Sequence, residues 1–448
     1  MNHLTPRHHN ETAQAPVSES LFKRAQHVMP GGYTRDLVAL HPHPNYAIAA
    51  QGSWITDADG RRRIDWVNNF AALIHGHAHP AIVETITTQA ARLLSATMPT
   101  EWDIALAELL CARIPSLERV RFANSGSEAN AIAIKAARAL TGKPKIAKME
   151  GGYHGQYDLL EASFQPKPEA WGPAHAPRAV AYNPGTPQSL LDEVVVLPLN
   201  DIEAARAIIR AQADHLAAVI LDPWRLQQAM IEPDRDFVAM LREETARLGI
   251  VLIFDEVWSL RSGYHGTQGE LGITPDMTTM GKIIGGGLPV GGVGGSARIM
   301  AVFDFAAGAG KVKHSGTFTA NPLTMAAGYT SMSLLTPAVF ADLHDRCGRL
   351  REGLERIRVD LRLEATVTGS GSLAALLPTT LPLRNYRDLY AAQEAGLGAR
   401  LERLAAYLLD EGLLTTRGSF LASTAMTDAE IDFTLEGTRA AFVRFLAS

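Results

Sequence analysis

Val251-Leu252-Ile253-Phe254 is an apolar run that ends in Asp255, Glu256 and Val257. Such a run reads as a buried strand that delivers a carboxylate at its C-terminal end. Downstream, Thr278-Thr279-Met280-Gly281 delivers Lys282 ahead of a series of glycines. A lysine amine stripped of water attacks carbonyls and carries protons, and a buried acid holds a cation. That pairing is what pyridoxal 5'-phosphate (PLP) chemistry requires: the lysine forms a Schiff base with the cofactor aldehyde, and the acid pairs with the protonated pyridine nitrogen. Strands ending in Asp and lysines in Gly-rich turns are common, so Asp255 and Lys282 take their meaning from the residues around them.

Ser125-Gly126-Ser127-Glu128 stands between a strand pattern and an amphipathic helix pattern. Ser125 and Glu128 have the spacing of a capping box, which alone accounts for the motif. The same helix start, with free N–H groups, Ser hydroxyls and a small Gly126, also suits a phosphate. Gly151-Gly152-Tyr153-His154-Gly155 is either an ordinary turn or a place where an aromatic ring stacks on a flat heterocycle. His75, His77 and His79 alternate like zinc ligands, but no nearby Asp, Glu or Cys pattern completes a set, and Pro80 marks a loop entering a helix. A structural role is the expectation for the three histidines. Gly285 to Gly287 and Gly291 to Gly295 are not a P-loop: Lys282 is followed by Ile283, and no earlier glycine stands at the required spacing. They are expected to let the backbone fold tightly around the lysine. His314-Ser315-Gly316-Thr317-Phe318-Thr319 offers hydroxyls for a second phosphate contact, or is a solvated turn.

The elements that position these groups are legible as an alternation of strand and helix from about Trp66 to Leu323. Strand patterns at 120–122, 145–148, 216–221 and 250–255 alternate with helix patterns at 128–140 and 235–248. The expected fold is α/β, a mostly parallel sheet with helices on both faces, which binds ligands beyond the carboxyl ends of its strands. A helix over 18–29 and extended segments around 46–49 and 54–56 precede it, and a long helix opens the tail near Ala326. The expected division is 1–65 packing with a smaller α+β domain at 326–448, around a large domain at 66–325. The 448 residues, 46% apolar and 20% charged, carry a formal charge of −5, which gives no support to a nucleic-acid or membrane-surface role. Two cysteines make no disulfide framework, and no apolar run is long enough to span a membrane, so the chain is expected to be cytoplasmic.

The order of the motifs adds what none carries singly. Ser-Gly-Ser-Glu-Ala-Asn, then Gly-Gly-Tyr-His-Gly, Asp-Glu-Val, the Lys282 segment and Ser-Gly-Thr-Phe resembles the class III, fold type I PLP aminotransferases. The resemblance runs from about Ser20 nearly to the C-terminus. It is greatest toward the branch of glutamate-1-semialdehyde aminomutase, aromatic β-amino-acid aminotransferase and D-phenylglycine aminotransferase. Pro30-Gly31-Gly32-Tyr33-Thr34-Arg35 and Thr416-Arg417-Gly418-Ser419-Phe420 are like the β-amino-acid and phenylglycine enzymes.

That resemblance implies that Lys282 holds PLP and shuttles the substrate proton, while Asp255 pairs with the pyridinium. It places Tyr153 and Val257 on the two ring faces, with His154 beside the cofactor. Ser125, Gly126, Ser127 and, across a homodimer interface, Thr317 would hold the phosphate. Arg35 and Arg417 match positions that hold substrate carboxylates, and an exposed ion pair is the alternative for each. The implied reaction moves the amino group of a β-amino acid to a keto acid such as 2-oxoglutarate in ping-pong fashion. An intramolecular aminomutase would use the same Lys282 and Asp255, although the segment after Gly32 is shorter than that enzyme's pattern. A racemase or decarboxylase would use them as well. A non-catalytic regulator would need a DNA-binding segment or basic patch that the sequence lacks. Asp222-Pro223-Trp224-Arg225-Leu226-Gln227-Gln228-Ala229 departs from the family's Glu-Pro and small residues, so Trp224 is expected to be a pocket wall or a packing residue.

Overall fold

The computed structural model describes residues 16–38, 40, 42–224 and 229–447. The polar start of the chain and Arg225 to Gln228 lie outside the described residues. The first helix is Val17–Gln26, shorter than the expected span. A separate turn over Pro30–Gly32 follows it, with positive φ at Gly31. Proline and a left-handed glycine cannot extend an α-helix, which accounts for the early stop.

Strands β1 (Ala47–Gln51), β2 (Trp54–Asp57) and β3 (Arg62–Asp65) form an antiparallel meander. The central sheet is built from β4 (Arg119–Ala123), β5 (Lys145–Met149), β6 (Val194–Leu197), β7 (Leu216–Leu221), β8 (Val251–Asp255), β9 (Met277–Gly281) and β10 (Gly291–Gly295). Among the described residues its seven strands run in the order β4-β10-β9-β8-β7-β5-β6. The pairs from β9 through β6 are parallel, and β10 is antiparallel to both of its neighbours. Every residue of β7, β8 and β9 is buried. A sheet covered on both faces needs such continuous apolar strands.

Gly291 to Gly295 form strand β10, which pairs with β9 so that Gly291 lies opposite Gly281, the residue before Lys282. Its glycines serve close approach, since a Cβ on Gly291 would lie 2.0 Å from the carbonyl oxygen of Ser125. The helix Gly126–Thr141 lays Ala129, Ala133, Ala136 and Ala137 on the sheet, and its apolar face shares a core with Ile253, Met277 and Val293. Small side chains there bring the helix start close to the strand ends.

Beyond the sheet come the helices Pro322–Leu334 and Pro337–Asp360, so the long helical stretch begins slightly earlier than expected and is broken at Leu335 and Thr336. Strands β11 (Thr366–Thr368), β12 (Leu373–Leu377), β13 (Leu413–Leu414) and β14 (Ser419–Leu421) follow. β11, β12 and β14 make a three-stranded antiparallel sheet, whereas β13 leaves to pair in parallel with β3. Leu421 N also donates to Trp66 O (2.9 Å). No helix among the described residues is long and apolar enough to cross a membrane.

Candidate active site

Adjacent parallel strands bring the acid and the lysine to one edge of the sheet. Asp255 is the last residue of β8 and pairs in register with Thr279 of β9, three residues before Lys282. Lys282 turns off the strand with φ +48°, a conformation that L-residues adopt only at some cost. Lys282 as a whole is partly exposed, while its amine is packed in protein. Burial pushes the Lys282 pKa down, and the carboxylates of Asp255 and Asp222 pull it partly back.

The Asp255 carboxylate is held from both sides. Oδ2 accepts from Asn130 Nδ2 (2.8 Å) and lies 2.8 Å from His154 Nδ1, while Oδ1 accepts from Val257 N (3.1 Å). Asn130 Nδ2 also reaches the carbonyl of His154 (2.9 Å), and Asn130 Oδ1 accepts from Thr279 Oγ1 (2.5 Å). Asn130 and Thr279 were not expected in the site. The available signal was a polar residue on the buried face of an otherwise apolar helix or strand. Glu256 points elsewhere, into a fully buried nest where it accepts from Thr267 N (2.6 Å) and Gln268 Nε2 (2.8 Å). Burial pushes its carboxyl up to about 7 against those donors.

Ser125 performs the capping role: in extended conformation it accepts at Oγ from Glu128 N (3.2 Å). Glu128 reaches back to Asn124 N (2.8 Å), one residue beyond the box. The cap leaves Gly126 and Ser127 in the first turn, ahead of any intrahelical acceptor for their N–H groups. A Cβ on Gly126 would lie 2.5 Å from Val257 Cγ1, so the glycine lets the helix start press against the residue two after Asp255. Ser127 Oγ accepts from Gln156 N (3.0 Å), which locks the Tyr153-His154 turn to the helix start. Tyr153 is half-buried against Phe164, with ring centroids 5.0 Å apart. Its phenol is pushed up chiefly by burial, then by Glu161, Tyr182 and Asp255. Lys282, Asp255, Asn130, His154, Tyr153, Val257 and the helix start thus form one cluster. Thr317 is exposed on this chain.

Trp224 is 3% exposed and stacked on Trp258, with centroids 5.2 Å apart and planes 13° from parallel. Its indole N–H donates to Glu232 Oε1 (2.7 Å), and that of Trp258 donates to Asp222 Oδ2 (2.8 Å). Of the two expectations for Trp224, packing is the one this geometry describes. Two of the three histidines are hydrogen-bonded within the fold, and His79 lies against His75 with ring centroids 5.3 Å apart. His77 Nε2 lies 2.8 Å from Asp65 Oδ2, and His75 lies between Thr424 Oγ1 (3.1 Å) and Ser331 O (2.9 Å). Burial lowers His75 to about 4, which keeps that ring neutral.

The two arginines stand apart from this cluster, both exposed. Arg417 has φ +51° in the tight turn Thr416 to Ser419 that leads into β14. Arg35 Nη1 donates to Asn69 Oδ1 (3.0 Å), and its guanidinium lies 5.8 Å from the centre of the Phe70 ring. Asn69 and Phe70 belong to a turn in which Asn68, Asn69, Phe70 and Ala71 all have positive φ, from 48° to 75°. Left-handed helical backbone costs about 1–2 kcal/mol per L-residue and Asn tolerates it best, so Phe70 and Ala71 carry the strain. Asp65 Oδ1 fastens the start of the turn by accepting from Val67 N (2.8 Å) and Asn68 N (2.9 Å), and Asn68 Nδ2 donates to Leu421 O of β14 (2.6 Å). Asn68 Oδ1 is buried and finds no donor among the described residues.

Comparison with known proteins decides what this arrangement belongs to. Residues 40–433 match the family described as Aminotransferase class-III. The chain belongs to the class III aminotransferases. It is 38% identical over 432 residues to glutamate-1-semialdehyde 2,1-aminomutase 2 of Brevibacillus brevis, covering 94% of this chain and 97% of that protein. Its fold is similar to that of an omega-transaminase from Sphaerobacter thermophilus (TM-score 0.91, 47% identity, 96% of this chain and 98% of that one). It is also similar to a beta-phenylalanine aminotransferase from Variovorax paradoxus (TM-score 0.84, 33% identity, 96% and 94%). This chain is therefore a PLP-dependent enzyme of fold type I.

Proposed function

We propose that this enzyme transfers the amino group of an aromatic β-amino acid to a keto acid such as 2-oxoglutarate by a ping-pong mechanism. The observation that carries this reading is a buried lysine and carboxylate cluster together with two exposed arginines, Arg417 on the turn into β14 and Arg35 bonded to Asn69 of the turn that Asn68 fastens to β14. Two guanidinium groups suit two carboxylate positions, which a site that alternates between a β-amino acid and a dicarboxylic acid needs. The omega-transaminase and beta-phenylalanine aminotransferase neighbours support it.

The residues fit the cofactor. Lys282 offers an amine for its aldehyde, and Asp255, fixed by Asn130 and His154, offers a carboxylate for the ring nitrogen. Tyr153 and Val257 would take the ring faces, and Ser125, Gly126 and Ser127 the phosphate. PLP, when bound, supplies an electron sink for the carbon that loses its proton. Lys282 Nζ, whose pKa burial pushes down, takes the proton from the amino-bearing carbon and returns it. Asp255, held by Asn130 Nδ2 and Val257 N, sets its carboxylate opposite the positive charge of the ring. Arg35 and Arg417 bind the carboxylates and set which carbon faces Lys282.

Thr317 would complete the phosphate site of a second copy in a homodimer. Leu94 and Phe318 are exposed beside it, and Asn321 Nδ2 joins their segments by donating to Leu94 O (3.1 Å). An apolar patch of this kind suits a subunit interface.

A second reading, glutamate-1-semialdehyde aminomutase, is favoured by the names of the curated relatives. One experiment separates the two. PLP-loaded enzyme is mixed with racemic β-phenylalanine and no acceptor, and the cofactor absorbance and keto acid are followed. Conversion of the cofactor with stoichiometric keto acid is the expected result. Absence of change, with turnover of glutamate-1-semialdehyde to 5-aminolevulinate, would replace this reading with the second.

A further inference from the structure

We infer that Asn69, presented by the left-handed turn Asn68 to Ala71, is a positioning residue that aims Arg35 at the substrate carboxylate. The inference rests on the reading of Arg35 as a carboxylate-binding group. Arg35 is exposed, and a long exposed side chain samples many rotamers unless something selects one. Two contacts select one here. Asn69 Oδ1 accepts a hydrogen bond from Nη1 at 3.0 Å, and the face of Phe70 lies 5.8 Å from the guanidinium carbon. A guanidinium has five N–H donors. The Nη1 bond to Asn69 uses one, and the others are available to a carboxylate.

The chemistry of position 69 matters as much as its place. A neutral amide oxygen orients the cation without neutralising it. An aspartate there would hold Arg35 equally well but would compete with the substrate's negative charge. The backbone supports the same conclusion. Four successive positive-φ residues and a buried, unmatched Asn68 Oδ1 are unfavourable for stability alone. Strain of this kind is retained where the surrounding structure holds a group for function. The turn is also fastened on two sides, to Asp65 Oδ1 and to Leu421 O of β14, the strand that follows Arg417. One turn thereby braces the supports of both arginines and fixes their spacing.

The test compares the PLP-loaded parent enzyme with Arg35→Ala, Asn69→Gly, Asn69→Asp and the double variant Arg35→Ala/Asn69→Gly. Glycine keeps the left-handed backbone and removes the acceptor, and aspartate keeps both. The measurements are KM and kcat for β-phenylalanine, Ki for 3-phenylpropanoate, and Tm. Asn69→Gly is expected to raise KM and Ki roughly tenfold, with a smaller change in kcat and a Tm equal to or above the parent's. Asn69→Asp is expected to raise both as well. The double variant should be no worse than Arg35→Ala, because the two residues act as one unit. A merely structural Asn69 would instead give lower Tm and kcat in Asn69→Gly and full recovery in Asn69→Asp, which overturns the inference. Parent-like KM in Asn69→Gly, with raised KM in Arg35→Ala, overturns it alone. Parent-like KM in Arg35→Ala overturns the carboxylate role of Arg35 and this inference with it. Failure of the parent to react with β-phenylalanine would instead locate the fault in the functional reading.

Discussion

The reactive cluster and the arginine rim are built on opposite plans. Asp255 and Lys282 stand at the ends of neighbouring central strands, Asn130 and His154 flank the carboxylate, and Thr279 holds Asn130 in place. Arg35 and Arg417 stand in the open, on or against backbone with positive φ, where the start of the chain meets its end. Regular strands give the reaction a fixed frame that a change of substrate need not disturb. Short turns give the rim its geometry, and a few substitutions there can move a cation without touching the frame. This is a physical basis for one scaffold serving aminomutases and aminotransferases alike.

The contrast fails most visibly if the frame can be broken without loss. Lys282→Ala is expected to lower kcat/KM by about a thousandfold or more for every amino donor, and to abolish the absorbance of lysine-bound cofactor. Steady-state kinetics and a spectrum of the loaded protein check both. Turnover at the parent rate would remove Lys282 from the chemistry. Arg417→Ala probes the rim. A charge-assisted pair contributes about 1.5–3 kcal/mol, so a loss of roughly tenfold to a hundredfold in kcat/KM is expected. That loss should fall on carboxylate-bearing substrates while the cofactor spectrum stays unchanged. Equal losses for β-phenylalanine and for 1-phenylethylamine would mean that Arg417 acts on the frame instead.

Glu256 tests the frame through stability rather than rate. In the unfolded chain a glutamate ionises near pH 4.5, but burial raises Glu256 to about 7. Between those values the folded state holds the extra proton. The contribution of Glu256 is therefore greatest below about pH 4.5 and falls by at most about 1.4 kcal/mol per pH unit until about pH 7. Glu256→Gln should flatten that part of the profile in urea unfolding at pH 5 and pH 8. An unchanged difference between the two pH values would mean that Glu256 is ionised throughout.

The frame was legible in the sequence because its signals are local. An apolar strand ending in Asp, a capped helix start and a lysine before glycines each occupy a few consecutive residues, and β7 and β8 follow from continuous apolar runs. What was not legible depends on distant partners. Asn-Asn at 68–69 is compatible with a left-handed turn, but nothing in Phe70 or Ala71 announces one, and Arg35 meets Asn69 only through the fold. The sequence left Trp224 as a pocket wall or a packing residue, because its stacking partner Trp258 lies thirty-four residues on. Gly291 to Gly295 carry no strand signal because glycines disfavour strands in general. At Gly291 the close backbone of Ser125 leaves no room for a Cβ.

The pairing of β13 with β3 matters before the enzyme exists as an enzyme. Ile64 and Leu413 share a ladder although about 350 residues separate them, a contact of high sequence separation. A chain made from its N-terminus produces the β1–β3 meander about 350 residues before its partner strand. Over that interval one border of the meander remains open, with hydrogen-bonding groups that another chain could meet. The terminal segments, which brace the arginines in the finished protein, are thus also where a nascent one is most open to mispairing.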